Sequence, residues 1–382
     1  MIAVGLMSGT SLDGVDAALV RIRPSGASYS IELLNFLTRH FEAPLLQRLR
    51  AALPPNSGST EAVAQLHHDL GEAFAQAALA VAGDTPIDYI ASHGQTMWHD
   101  GDTHVTLQIA DPFLIRERTS ATVCYDFRSA DCAANGHGAP LVPYVDALLL
   151  GSPEEDRVAI NIGGIGNLTA LPRGVAPQDV IAFDSGPGNM LIDAFVRERT
   201  NGAMSYDRGG ELALRGHVND ELLRKMLTDP YFALRPPKTT GRERFGAQFL
   251  QAQAPALETL STEDGAATLA ALTAASLANA VRDVSPIGAR VLVSGGGAHN
   301  EAILRGLQER LGEFRVEPSD LMNLSGDAKE AMAFALLGYE TLRERPANVP
   351  RVTGAAHPAV LGAIAPFRLT RLLQKVEMEC RG

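Results

Sequence analysis

Lysine is scarce in this chain: Lys225, Lys238, Lys329 and Lys375 are the only ones in 382 residues, and arginine carries the rest of the positive charge. An ordinary compositional bias accounts for that, but it has a consequence for motifs. The P-loop signature G-x-x-x-x-G-K-[ST] is absent. Cysteine is nearly absent too, at Cys124, Cys132 and Cys380. An odd count with no zinc-type spacing excludes a disulfide framework and predicts inert thiols. Excess positive charge is missing, with a net charge of −11. A general nucleic-acid binder needs basic surface to displace counterions, so that class is excluded. No apolar run reaches the ~18 residues a membrane span needs. The opening "MIAVGLMSGT" has no basic segment of a secretory signal, so a cytoplasmic protein is predicted.

What is present is glycine in turns between short apolar runs. The length predicts two domains. Residues 2–7, 15–22 and 31–37 read as three strands of an antiparallel meander. Residues 61–83 have helical periodicity and end in Gly83. Residues 87–94 read as a buried strand ending in a glycine loop. A second strand, glycine turn and strand follow at 157–171. Residues 179–198 read as strand, glycine turn and helix, 265–284 as an alanine-rich helix, and 289–311 as strand, three glycines and helix. Two hairpin-with-glycine-turn units, each followed by helices and strands, predict a duplicated βββαβα arrangement.

The turn "SGTSLDG" (8–14) offers backbone N–H groups and hydroxyls, and its glycines allow close approach to phosphate oxygens. Asp13 and Asp16 would repel phosphate unless a cation such as Mg²⁺ lay between. The same residues also suit an ordinary hairpin turn. "NIGGIGN" (161–167) has a similar look, but a strand-like "LTAL" follows it, so it is not a dinucleotide-binding fingerprint. In "FDSGPGN" (183–189) a strand would deliver Asp184 into a glycine loop, a good place for a general base or merely a turn-stabilising residue. "SGGGAHN" (294–300) suits a flat ligand or phosphate against the backbone. His93, His99 and His104 lie close in sequence without a zinc pattern and read as polar lining or surface. Lys329 and Glu330 open an apolar helix, where Glu330 either favours the positive helix end or touches a ligand.

Taken in order, "GLMSGTSLDGVDAALV", "SHGQT", "DFRSADCAANGHGAPLVP", "NIGGIGNLT", "FDSGPGNMLID", "KTTGRERFG", "SGGGAHN" and "KEAMAFALLG" resemble the anhydro-N-acetylmuramic acid kinases, from residue 2 to about 355. That family is similar to the sugar-kinase, Hsp70 and actin superfamily. The resemblance implies an α/β fold of two actin-like, ribonuclease H-like lobes around an ATP cleft. The first lobe would take 1–128 plus about 345–382, and the second 129–344. It implies conversion of 1,6-anhydro-N-acetylmuramic acid, ATP and water into N-acetylmuramic acid 6-phosphate and ADP, in murein recycling, by a cytoplasmic homodimer.

Carried over by position, Gly9, Thr10, Ser11, Leu12, Asp13, Gly14, Val15 and Asp16 would form the ATP-phosphate loop. Asp13 would serve Mg²⁺, and Gly163, Gly164, Gly295, Gly296 and Gly297 would complete the nucleotide site. Asp184 would be the catalytic base, and Glu330 and Asn135 would contact the sugar. His137 departs from the glutamine-containing form of its segment, so the resemblance carries the backbone turn there but no side-chain role. The rival readings are another sugar kinase or an exopolyphosphatase of the same superfamily, or a non-catalytic ATP-binding switch.

Overall fold

The computed structural model describes residues 1–9, 12–25, 28–54, 56–319 and 328–381. The chain divides into two compact units, Met1–Leu149 with Asn323–Gly382, and Leu150–Met322. Residues 129–149 and 328–344, expected in the second lobe, therefore pack within the first unit. The reason is visible in one helix, Lys329–Leu342, which lies directly on the central strand of that unit.

The first unit is built on strands β1 (Ile2–Ser8), β2 (Gly14–Ser25), β3 (Ser28–His40), β4 (Tyr89–Asp100), β5 (Val105–Ile109) and β6 (Thr122–Tyr125). The second holds β7 (Arg157–Ile162), β8 (Ile165–Leu171), β9 (Ile181–Pro187), β10 (Arg290–Ser294) and β11 (Arg315–Pro318), and β12 (Ala363–Ala365) returns to the first. Sheet order is β12-β6-β4-β1-β2-β3 in one and β11-β10-β7-β8-β9 in the other. In both, the first three strands run antiparallel, and two later strands extend the first strand's other side in parallel, β4 then β6 in one sheet and β10 then β11 in the other, while β5 folds back antiparallel on β4. The expected duplicated βββαβα plan is present in each sheet.

Alternation along β1 explains how the first sheet is covered. Val4 and Leu6 share an apolar core with Leu66, Leu70 and Phe74 of the helix Thr60–Ala82. Gly5, between them, faces the opposite side. A Cβ there would stand 1.8 Å from the carbonyl oxygen of Ala331, so only glycine admits the helix Lys329–Leu342 at that distance. The helix Thr60–Ala82 starts where Ser59 accepts the Ala62 N–H and stops at Gly83, which has φ of 53°. In the second unit, Val158, Ile160 and Ile162 of β7 pack with Leu269, Leu272 and Leu277 of the alanine-rich helix Thr262–Val284.

Two strands differ from expectation. β4 does not end at Gly94 but continues to Asp100 and pairs back with β5. Its pairing with β1 shifts register between Leu6 and Ser8, which lets the strand carry Gly94 at φ 75°. β9 does not stop before the glycines but runs to Pro187, so Asp184 lies inside a strand rather than in a loop. Pairing with β8, irregular between Gly166 and Asn167, holds it there.

Candidate active site

In the first unit the turn after β1 is locked from below. The Ser8 hydroxyl lies 2.8 Å from the Gly14 carbonyl and 2.7 Å from Gln95 Oε1, and Ser8 is buried. The Leu12 N–H donates to the Gly9 carbonyl at 3.3 Å, which closes the turn. A Cβ at Gly14 would sit 2.2 Å from the Arg39 carbonyl, so this glycine is required by the approach of β3. Thr10 and Ser11 lie outside the described residues. Leu12 and Val15 have buried side chains, Val15 in the core, so those two positions offer only backbone.

Gly9, Asp13, Gly14 and Asp16 line an open pocket of about 420 Å³, with Phe36, Thr38 and His40. Thr38 donates its hydroxyl to Asp16 at 2.6 Å, and the His40 ring nitrogen Nδ1 meets the Asp13 carbonyl at 2.9 Å. Two carboxylates on one pocket fit a hard cation that keeps waters and borrows phosphate oxygens. Among the described residues no group of three or more His, Cys, Asp or Glu side chains could hold a metal by itself.

At the start of the helix Lys329–Leu342, Glu330 opens to solvent while its neighbour Lys329 is buried. Although the Glu330 side chain reaches solvent, the protein surrounding its carboxyl still holds it above the ordinary range; Asp16 adds to the rise, and Arg128 and Lys329 oppose it. Arg128 is held by two bonds, from Nε to His93 Nε2 at 2.9 Å and from Nη1 to the Gly138 carbonyl at 2.8 Å. Since His93 accepts at Nε2, its proton sits on Nδ1, which donates to the Gly94 carbonyl at 2.9 Å. Burial holds His93 neutral by pushing it well below the usual imidazole range. The loop carrying Asn135, which is exposed at φ 61°, is organised by the buried Asp131. That carboxylate accepts from the Gly138 N–H, from Asn348 and from Thr353.

In the second unit the β7–β8 turn lies against the start of the helix Met190–Arg199, which follows β9. The Gly188 and Asn189 N–H groups donate to the carbonyls of Gly164 and Gly163 at 2.9 and 2.8 Å. The Gly163 N–H is taken up inside the turn by the Ile165 carbonyl. Gly164 is exposed. Gly295 and Gly297 are pressed against β7: a Cβ at Gly297 would fall 2.2 Å from Ile162 Cγ2. Gly296 is the exposed one of the three, beside Asn189, whose side chain donates to the Ile162 carbonyl. The glycines of both motifs therefore meet at one end of β7, and Gly164 and Gly296 face outward there.

Asp184 lies on β9, the edge strand, and is partly buried. Its Oδ2 accepts the Thr240 N–H at 2.9 Å. Desolvation pushes its carboxyl up from 3.8 to about 6; the Thr240 bond opposes the rise and the Glu243 charge adds to it. A carboxyl poised there accepts a proton near neutral pH, as a general base must. Tyr231, Lys238, Thr240 and Glu243 around it were not singled out by the sequence. The only signal was the threonine- and glycine-bearing "KTTGRERFG", which had no assigned role. Gln95, Arg128 and Asp131 were missed as well, because single residues in a strand or short helix carry no periodic signature, and the Ser8 hydroxyl, expected to face phosphate, is instead buried against the Gly14 carbonyl and Gln95.

The anhydro-N-acetylmuramic acid kinase family model matches residues 1–367. An anhydro-N-acetylmuramic acid kinase of Caldanaerobacter subterraneus subsp. tengcongensis is 43% identical over 383 residues, covering 95% of this chain and 96% of the relative. Those of Streptomyces avermitilis and Bacillus cereus strain AH187 are 41% and 38% identical, covering 96% and 95% of this chain and 95% and 99% of the relatives. A match of this length takes in both sheets, and the chain belongs to the anhydro-N-acetylmuramic acid kinase family.

Proposed function

We propose that Asp184 is the general base with which this kinase opens the 1,6-anhydro bridge of 1,6-anhydro-N-acetylmuramic acid while ATP phosphorylates the freed oxygen. The observation that carries this reading is the Asp184 carboxyl at about 6, fixed on a strand by a backbone N–H. In the substrate O6 is tied to C1, so no free 6-hydroxyl exists. Water attacks C1 as Asp184 takes one of its protons. The C1–O6 bond breaks with its electron pair on O6, which attacks the γ-phosphorus of ATP. ADP leaves with the bridging oxygen, and Asp184 returns its proton to solvent. The products are N-acetylmuramic acid 6-phosphate and ADP.

In the first unit, the turn from Gly9 to Asp16 is the phosphate grip, with Asp13 and Asp16 as the carboxylates that would hold Mg²⁺. Mg²⁺ supplies charge neutralisation on the phosphates when bound. Glu330 and Arg128, paired by charge beside Asp16, form the polar surface suited to the sugar, and Asn135 adds an exposed amide. In the second unit, the outward Gly164 and Gly296 offer flat backbone to the nucleotide. The same reading makes the protein a cytoplasmic homodimer in murein recycling. Among the described residues no helix is long and apolar enough to cross a membrane.

The test is turnover of ATP with the anhydro-sugar in ¹⁸O-water. The label belongs at C1 of the sugar phosphate. Label in inorganic phosphate, with no sugar phosphate formed, would mean plain ATP hydrolysis and end this reading.

A further inference from the structure

β9 is an edge strand, and its free edge at Asp184 is closed without a further strand. In a strand, one residue's N–H and C=O point to the same side. At Asp184 both find partners in the segment that follows the helix Met190–Arg199 by some tens of residues. The N–H donates to the Lys238 carbonyl at 3.2 Å, and the carbonyl accepts the Tyr231 hydroxyl at 2.7 Å. The Thr240 N–H then reaches the carboxylate itself at 2.9 Å. Three bonds thus fix one residue through main chain and side chain together.

The segment is braced in turn. Tyr231 is buried, and its ring lies under the Lys238 ammonium at 4.8 Å and near the Arg244 guanidinium at 5.6 Å. Lys238 also donates to the Tyr231 carbonyl at 3.3 Å and stands 5.6 Å from the Phe183 ring, next to Asp184 in sequence. Arg244 is anchored by Asp229, which caps the turn bearing Tyr231. The titratable groups that bear on Asp184 are Glu243 and Tyr231; Lys238, itself under the influence of Asp283, and Arg244 with Asp229 lie around the Tyr231 ring. Among the described residues the Thr240 N–H favours the charged form of the Asp184 carboxyl, and the Glu243 charge opposes it. Among the described residues the Thr240 hydroxyl has no hydrogen-bond partner, and the bond to the Asp184 carboxylate comes from the Thr240 backbone N–H.

We propose that Tyr231 and the backbone of Thr240 are positioning residues that cap the edge of β9 and hold the Asp184 carboxylate in the orientation that takes a proton from water. The proposal rests on Asp184 being the base. A cap of this kind acts on turnover, not on nucleotide affinity. Tyr231→Phe removes one hydroxyl and keeps the ring between its two cations. Thr240→Pro removes the N–H, whereas Thr240→Ala keeps it.

The experiment measures kcat and KM for ATP and the anhydro-sugar, with pH profiles of kcat/KM, on wild type, Tyr231→Phe, Thr240→Pro and Thr240→Ala. Tyr231→Phe and Thr240→Pro should lose roughly 10- to 100-fold in kcat, the cost of a misplaced reacting group, with little change in KM for ATP. The acid limb of Thr240→Pro should move to higher pH, because the charged carboxylate has lost its donor, while that of Tyr231→Phe should stay, because its hydroxyl bonds the main-chain carbonyl. Thr240→Ala should keep the limb where the wild type has it. Wild-type kcat in both Tyr231→Phe and Thr240→Pro, or a wild-type limb in Thr240→Pro, would overturn the cap. So would a Thr240→Ala limb displaced as far as that of Thr240→Pro, since the hydroxyl would then be the active group. Loss of ATP binding or a large fall in Tm in Tyr231→Phe would also overturn it by making Tyr231 a folding residue. A wild type that leaves the anhydro-sugar untouched would instead remove the base assignment underneath.

Discussion

Replacing Asp184 by Asn should stabilise the protein at neutral pH while abolishing turnover. The carboxyl is pushed from 3.8 to about 6 in the folded chain, chiefly by desolvation. Between those two values the folded state binds more protons than the unfolded one, so stability falls as pH rises through that window. A shift of roughly two units corresponds to about 3 kcal/mol in full. Solvent reaching a partly exposed carboxylate brings the realised cost to about 2 kcal/mol. Asparagine is neutral and still presents an oxygen to the Thr240 N–H, so it escapes this cost. Asp193 is likewise raised to about 6, but it is present in both proteins and cancels in the difference.

The stability gap, variant minus wild type, should therefore be near zero at about pH 4 and open to about 2 kcal/mol at about pH 7.5. In a unit of this size that is a Tm difference of roughly 4–8 °C. Thermal or urea unfolding of both proteins across this range reads it directly. In parallel, turnover of the anhydro-sugar should fall about 10²–10⁴-fold while ATP still binds. A gap that stays flat with pH, or that closes toward neutrality, would refute the desolvation argument. Full activity in the variant would refute the base.

In wild-type enzyme, kcat/KM should drop as pH falls below about 6, and Glu243→Gln should move that limb to lower pH by removing a repelling charge; an unmoved limb means Glu243 is too well screened to matter. Gly14→Ala should cost about 1–3 kcal/mol by forcing a Cβ into the Arg39 carbonyl, read by urea unfolding. Lys329→Met breaks its buried 2.8 Å pair with Asp146 and should cost about 3–5 kcal/mol, and a loss well under 1 kcal/mol would show that Asp146 is otherwise satisfied. Asp13→Asn should raise the Mg²⁺ concentration needed for half-maximal turnover, and an unchanged requirement would take the cation away from that pocket.

The strands were legible because burial on a sheet leaves a local trace. Short apolar or alternating runs bounded by glycine marked β1, β2, β3, β7, β8 and β10, helical periodicity stopping at Gly83 marked the helix Thr60–Ala82, and alanine richness marked Thr262–Val284. The repeated hairpin was readable for the same reason, and the order of glycine motifs was specific enough to name a family. The end of β4 was not readable, since Gly94 looks like a stop and only the register shift against β1 carries the strand past it.

Asp184 could be picked out by its type and setting, but its chemistry depends on distant chain. The Thr240 N–H that holds it lies 56 residues further on, and the Tyr231 hydroxyl 47. Arg128 likewise meets His93 across 35 residues, and Asp131 meets Thr353 across 222. Sequence alone determined which segments fold locally and which residues are chemically able to act, because propensity and periodicity are written in neighbouring residues. Tertiary structure alone decided desolvation, which donors reach a carboxylate and which glycines are packed shut, because those depend on atoms brought together from far along the chain.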